Sequence, residues 1–184
     1  MLFEAIIGGI LIGWLLKGSL HNLAGVKLPG WPLILLSLAL QTTILIDFHH
    51  YPLYPDSFYP IFYILSFLLL IAFSLLQKRQ IGSMMIGLGL LLNLIVIAAN
   101  QGTMPVALNN LPEVTIAELT SGESSPFHSG MSDQTLFRQL GDWIPHLYKT
   151  NRLLSIGDLV LAAGVTVFTV QSMLAPPRKT RKAT

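Results

Sequence analysis

The sequence predicts an all-α polytopic membrane bundle, with five transmembrane helices and a helical extracytoplasmic cap. Three observations predict it. Charged residues make up only 11% of the 184-residue chain, hydrophobic residues 52%, and mean hydropathy is +0.63; charged residues are normally about a quarter of a soluble domain. Five apolar runs cover residues 2–16, 31–47, 58–77, 81–100 and 155–174. Lysine and arginine fall on alternate connections between those runs.

A membrane span needs about twenty apolar residues, with a range of about 17–25. The second to fifth runs meet this, and the first is short. Helices satisfy every backbone group within one segment, so an open-ended membrane chain is expected to be helical. The first run carries Glu4 in place of a basic leading region, and Lys17 follows it where a small-residue cleavage site would stand. It therefore reads as a retained span and not as a cleaved signal peptide.

Lys17 and Lys27 flank the first connection, Lys78 and Arg79 fill the third, and Arg178, Lys179, Arg181 and Lys182 crowd the tail. The second connection has no lysine or arginine, and the long fourth carries Glu113, Glu118, Glu123, Asp133 and Asp142 against Arg138, Lys149 and Arg152. The positive-inside rule then puts the N-terminus outside and the C-terminus in the cytoplasm of a bacterial cytoplasmic membrane. Residues 1–175 form one membrane domain, and 176–184 a basic cytoplasmic tail suited to anionic headgroups. The first connection, 18–30, reads either as a short interfacial helix or as an ordinary loop.

The outer segment, residues 101–154, is too long for a turn. Pro112-Glu113 opens one helix that stops near Gly122, because proline suits a first helical position and glutamate a positive helix end. Ser132 and Gly141 bracket a second. If both lie on the span ends as a cap, Leu119, Leu136, Phe137 and Trp143 should be mostly buried.

Candidate functional residues gather at the start of the last span. Asp142 stands in Gly141-Asp142-Trp143-Ile144-Pro145 and Asp158 in Ser155-Ile156-Gly157-Asp158-Leu159. One reading makes Asp158 a helix cap and pairs Asp142 with Lys149 or Arg152. The other makes the two aspartates an acid–base pair, since two close carboxylates cannot both ionise cheaply and one keeps a proton near neutral pH. Asn100 and Ser155 are the side chains placed to orient them. Asn93 reads as glue between helices or as a substrate contact. Ala5, Gly9 and Gly13 form a small-residue stripe for packing inside the bundle.

Other chemistry finds little support. Asp47-Phe48-His49-His50, with Asp56 nearby, offers metal ligands without a completing set, since adjacent histidines point apart. Tyr51, Tyr54, Tyr59, Tyr63 and Trp31 read as an interfacial aromatic set. Cysteine is absent, which removes disulfide, iron–sulfur and thiol chemistry. No histidine lies deep in a run, and no phosphate loop, nucleophile elbow or nucleic-acid motif occurs. No cofactor or metal is implied.

Two resemblances add to these readings. The segment Leu154-Ser155-Ile156-Gly157-Asp158 through Leu161 and Gly164, with Leu140-Gly141-Asp142-Trp143-Ile144 upstream, resembles the two aspartate motifs of the lipoprotein signal peptidases. That resemblance implies a catalytic dyad at Asp142 and Asp158 and a membrane-anchored peptide substrate. The sequence departs from that family at Ser155, where the family has asparagine, and lacks its Gly-Asn-x-x-Asp-Arg motif, for which Asn100-Gln101-Gly102 is the nearest counterpart. Asn100-Gln101-Gly102-Thr103-Met104-Pro105-Val106 followed by Ser155-Ile156-Gly157-Asp158, on a five-span frame, resembles a family of small bacterial membrane proteins of unknown function. It implies a fold and no activity. The leading expectation is a scaffold or a module binding lipids or a partner through its outer cap; the alternative is an aspartyl membrane peptidase. Membrane lipids and a membrane-anchored peptide or protein are the expected partners, and nucleic acid is not.

Overall fold

In a computed structural model the chain is mostly helical, and residues 1–50, 53–77, 80–109, 111–122, 125–146 and 149–175 are described. Lys78, Arg79, Tyr51, Glu123 and the basic tail 176–184 lie outside them, as do the side chains of residues 149–151. Four helices are long and apolar enough to cross a membrane: α3 (Trp31–His49), α4 (Phe58–Leu76), α5 (Ile81–Ala99) and α7 (Ile156–Leu174). Each has 19 residues, or about 28 Å at 1.5 Å per residue, close to the hydrocarbon thickness of about 30 Å. The expected first span is shorter, a 14-residue helix α1 (Leu2–Leu15). It is followed by Lys17 in a left-handed conformation, φ 63°, and by Gly18 packed onto Met173. The first connection does form a helix, α2 (Leu20–Ala24), capped by Ser19 and tied to α7 by Asn22 donating to the Met173 carbonyl at 3.0 Å.

The bundle is ordered by neighbours α3–α4, α4–α5, α5–α7 and α1–α7. The most intimate pair is α5 with α7, and small residues are the reason. A Cβ at Gly89 would meet the Gly157 carbonyl at 2.6 Å, and one at Gly164 would meet the Ile86 nitrogen at 2.6 Å. Without a hydrophobic drive between helices in lipid, such backbone approach is what holds them. The predicted small-residue stripe of α1 does pack inside: Gly9 lies against Thr169 and Gly13 against Met173.

The 101–154 segment departs from the expected all-α design. It holds one helix, α6 (Glu113–Ser121), with Pro112 before it and left-handed Gly122 after it, as its start and stop signals foretold. It also holds four short strands: β1 (Met104–Val106) parallel to β2 (His128–Gly130), and β3 (Ile144–His146) antiparallel to β4 (Lys149–Leu154). Asp142 extends the first pair, its N–H donating to the Pro105 carbonyl at 2.9 Å and its own carbonyl accepting from Ala107 at 2.7 Å.

The helix expected between Ser132 and Gly141 is absent; only a 3-10 turn at Arg138–Leu140 forms. The capping bonds of a helix start do form, but a distant side chain takes the Leu136 backbone groups that continuing the helix required. Thr135 accepts from the Ser132 N–H, Ser132 from Gln134, and Asn100 grips both the N–H and the carbonyl of Leu136. Phe137 is then turned left-handed, φ 53°. The burial expected of a helical cap fails with it: Leu136 is 55% exposed, Phe137 52% and Trp143 48%, and only Leu119 is half-buried. The segment meets the bundle elsewhere, through Phe127 on Tyr63 at 4.5 Å between ring centres, and through Leu140. It keeps a small core of its own around Val106, Leu111 and Leu153.

Candidate functional site

The site lies where α5 ends and α7 begins. Ser155, fully buried, precedes α7 and its hydroxyl accepts from the Asp158 N–H at 2.9 Å. This is an N-cap, and it leaves Asp158 in the first turn, where the helix dipole favours negative charge. The Ser155 hydroxyl donates to the Asn93 side-chain oxygen at 2.8 Å, and the Asn93 amide donates to Asp158 Oδ1 at 2.9 Å. Three hydrogen bonds thus close a ring linking α5 to the start of α7. Gly157 makes room for it, since a Cβ there would collide with the Asn93 oxygen.

Asp142 reaches the same place from the other direction. Its backbone is fixed in the small sheet beside β1, and its side chain is buried, with Oδ1 bonded to no partner among the described residues. Burial first, and the charge of Asp158 second, push its carboxyl up to about 8, with Arg152 opposing. Burial therefore favours the neutral acid at Asp142 near pH 7. Arg152 is near enough to act electrostatically, yet Asp142 enters no ion pair among the described residues. The expected alternative partner, Lys149, has its side chain outside them.

Asp142 and Asp158 line one cavity of about 540 Å³. His128, Ser125, Glu118 and Arg152 line its other walls. His128 shares a hydrogen bond of 3.2 Å with Ser125, and burial, aided by Arg152, pulls its imidazole below the ordinary range. The cavity thus holds an ionisable acid kept neutral, a carboxylate held by an amide, and a neutral imidazole. Two carboxyl groups on one cavity, one of them held toward the neutral acid by burial, can exchange protons with a bound water or substrate.

Of the predicted site residues, Asp142, Asp158 and Ser155 come together here. Asn100 does not join them: its amide goes to the Val96 and Leu136 carbonyls. Sequence reasoning noticed Asn93 only as a polar residue in an apolar run and could not name its partner. It missed His128 and Ser125 altogether, because Ser125-Pro126-Phe127-His128 matches no spaced motif.

The Asp47 cluster is a different matter. Asp47 is buried and takes hydrogen bonds from Leu53 N–H at 2.7 Å, Tyr54 N–H at 3.3 Å and the Tyr59 hydroxyl at 2.8 Å. It ties the turn between α3 and α4. No group of three metal-ligating side chains occurs among the described residues. Tyr59 and Tyr63, expected at the interface, are buried in the core, one bonded to Asp47 and the other packed edge-to-face with Phe67 and against Phe127.

Comparison with known proteins adds one fact. A family model described as a family of unknown function, DUF5317, matches residues 25–170. The chain belongs to DUF5317. The matched stretch takes in all the residues of the site just described, from Asn93 to Asp158, and begins beyond α1. No curated protein and no solved structure matches the chain.

Proposed function

We propose that this chain is an aspartyl hydrolase of the membrane, in which Asp158 and Asp142 act as base and acid on a peptide bond of a membrane-anchored substrate. The observation that carries the reading is the shared cavity: one neutral carboxyl and one amide-held carboxylate line the same space. The local resemblance to the lipoprotein signal peptidases points the same way. In the proposed reaction the Asp158 carboxylate takes a proton from water as its oxygen adds to the peptide carbonyl carbon. Asp142 gives its proton to the carbonyl oxygen, forming a neutral gem-diol. When the C–N bond breaks, the amine takes the proton held by Asp158, and a gem-diol hydroxyl returns a proton to Asp142. Both carboxyls end as they began.

In this reading α1 serves as a fifth, shorter span, and the cavity faces outward from a bacterial cytoplasmic membrane, as the alternation of basic connections favours. The competing reading, a scaffold recognising partners through a packed cap, loses its main support because Leu136, Phe137 and Trp143 are exposed.

The test is cleavage. Purified protein in liposomes is incubated with quenched fluorescent peptides that carry an apolar membrane anchor, and membrane-anchored peptides of cells with and without the protein are compared. Cleavage that depends on both aspartates supports the proposal. An active wild type whose Asp158→Asn variant is equally active overturns it, as does the absence of any wild-type-dependent cleavage in both assays.

A further inference from the structure

We infer that Asn93, held by Ser155, is a positioning residue that fixes Asp158 as the ionised member of the pair and so leaves the single shared proton on Asp142. The inference rests on the acid–base reading for its purpose, but the placement of the proton stands on hydrogen-bond geometry and burial.

A primary amide can turn either its oxygen or its nitrogen toward a carboxyl group. An amide nitrogen supports a carboxylate; an amide oxygen supports a protonated acid. Ser155 decides between them. Its hydroxyl has one proton. It accepts from the Asp158 N–H at 2.9 Å, and its own proton, buried away from water, finds its acceptor in the Asn93 oxygen at 2.8 Å. With its oxygen taken, Asn93 presents its NH₂ to Asp158 Oδ1 at 2.9 Å. The ring therefore has a direction: backbone N–H to serine, serine to asparagine, asparagine to carboxylate. Asn93 and Ser155 are both buried, so water does not compete for the bond between them. Gly157 removes the one Cβ that would block the amide.

Asp142 has the opposite surroundings. Its Oδ1 is buried with no partner among the described residues, which penalises charge and leaves the neutral acid as the cheaper form. The other ionisable groups at the cavity are Glu118 on α6, His128 on β2, Arg152 on β4 and the Met1 amine, and Tyr63 on α4 lies near enough to feel the charge of both carboxyls. The Met1 amine is paired with Glu4, and burial keeps His128 neutral. Arg152 alone favours charge on Asp142, and burial outweighs it.

The experiment follows the protons directly. Carboxyl ¹³C resonances of labelled aspartates in the full chain are assigned by Asp→Asn substitution and followed with pH. At pH 7 the Asp142 resonance should sit at the protonated position and move on raising pH through about 8, while Asp158 sits at the ionised position. Asn93→Ala removes a charge-assisted donor, so the proton distribution between the two carboxyls should move roughly tenfold or more toward Asp158. Ser155→Ala frees the Asn93 amide to flip and should move it in the same direction by less, which keeps the test open if Asn93→Ala does not fold. An ionised Asp142 at pH 7 in the wild type overturns the inference. So do resonances that stay put in whichever of the two variants folds. Because no substrate is involved, the proton can be found on Asp142 in a protein that cleaves nothing. That outcome would sink the hydrolase proposal and keep this one.

Discussion

Asp47 and Asp142 are both buried aspartates at the same end of the bundle, where α3 and α5 finish and α4 and α7 start. Their surroundings could hardly differ more. Asp47 has three donors, two from the turn it closes and one from Tyr59, and nothing is left over. Asp142 has a backbone locked into a sheet and a carboxyl oxygen buried with no described partner. Both pay for burial, but only the first is compensated inside the fold. Burial of a charged residue type is thus a poor guide to function by itself. What separates a structural aspartate from a candidate chemical one is whether its hydrogen bonds are already spent.

The largest expected effect is on cleavage. Asp142→Asn and Asp158→Asn should each reduce peptide hydrolysis by about 10⁴-fold, since an amide can neither give nor take the proton at these positions. Asp47→Asn should leave the turnover rate of the folded fraction unchanged. Rates normalised to folded protein, measured by size-exclusion recovery in detergent, separate the two sites. Equal losses at Asp47 and Asp142 would erase the contrast.

The next effect is on stability against pH. The Asp142 carboxyl is raised from 3.8 to about 8 by folding. A raised acid contributes its stability fully below its unfolded value and loses it as pH climbs through the folded one. Between about pH 4 and pH 8 the protein should therefore lose stability, with an upper bound of about 5 kcal/mol from about 4 pH units at 1.36 kcal/mol each. Thermal unfolding in detergent across that range should show a falling midpoint in the wild type. In Asp142→Asn this part of the slope should vanish, whereas Asp47→Asn should retain it.

A third substitution attacks the ring beside Asp158. Gly157→Ala places a methyl group where the Asn93 oxygen sits, between helices whose backbones already touch. It should cost roughly 3 kcal/mol of stability, and it should weaken cleavage in the fraction that stays folded because Asn93 is driven off Asp158. Gly8→Ala is the control on a helix of the same bundle, since a Cβ there meets nothing within 4 Å. A Gly157→Ala protein as stable as Gly8→Ala would mean that α5 and α7 can separate freely.

How much of this was legible follows from the range of each interaction. The four long helices are written in runs of twenty apolar residues, and α6 in Pro112, Glu113 and Gly122, all signals local to the element. The two aspartates stood out because each breaks an apolar or interfacial pattern. The strands did not, because three residues with Pro105 or Pro145 inside them carry no alternation, and β1 meets β2 only across α6. The failed helix after Ser132 shows the same limit. Its capping residues were read correctly as hydrogen-bonders, but Asn100, more than thirty positions away, takes the Leu136 backbone. Asn93 was visible as a polar residue, while its role depends on Ser155 and Asp158 of another helix.

The last effect is one of sign, and it is the sharpest test of the comparison. Near pH 6 Asp142 is a neutral acid, so Asp142→Asn swaps one uncharged planar group for another of the same shape. Because the unfolded carboxyl is ionised at that pH, the variant should lose no stability and gain up to about 3 kcal/mol, from roughly two pH units at 1.36 kcal/mol each. Asp47→Asn at the same pH turns an acceptor oxygen into an NH₂ facing either the Leu53 and Tyr54 N–H groups or the Tyr59 hydroxyl. The amide can rotate to put its oxygen toward the two backbone donors. The Tyr59 hydroxyl must then turn to accept, and the charge assistance is lost on all three bonds, a cost of roughly 2 kcal/mol. Paired unfolding curves of the two variants in one detergent give the ordering without any substrate. If Asp142→Asn proves the more damaging of the two at pH 6, then Asp142 is held by bonds as necessary as those of Asp47, and its carboxyl is a structural tie like the other.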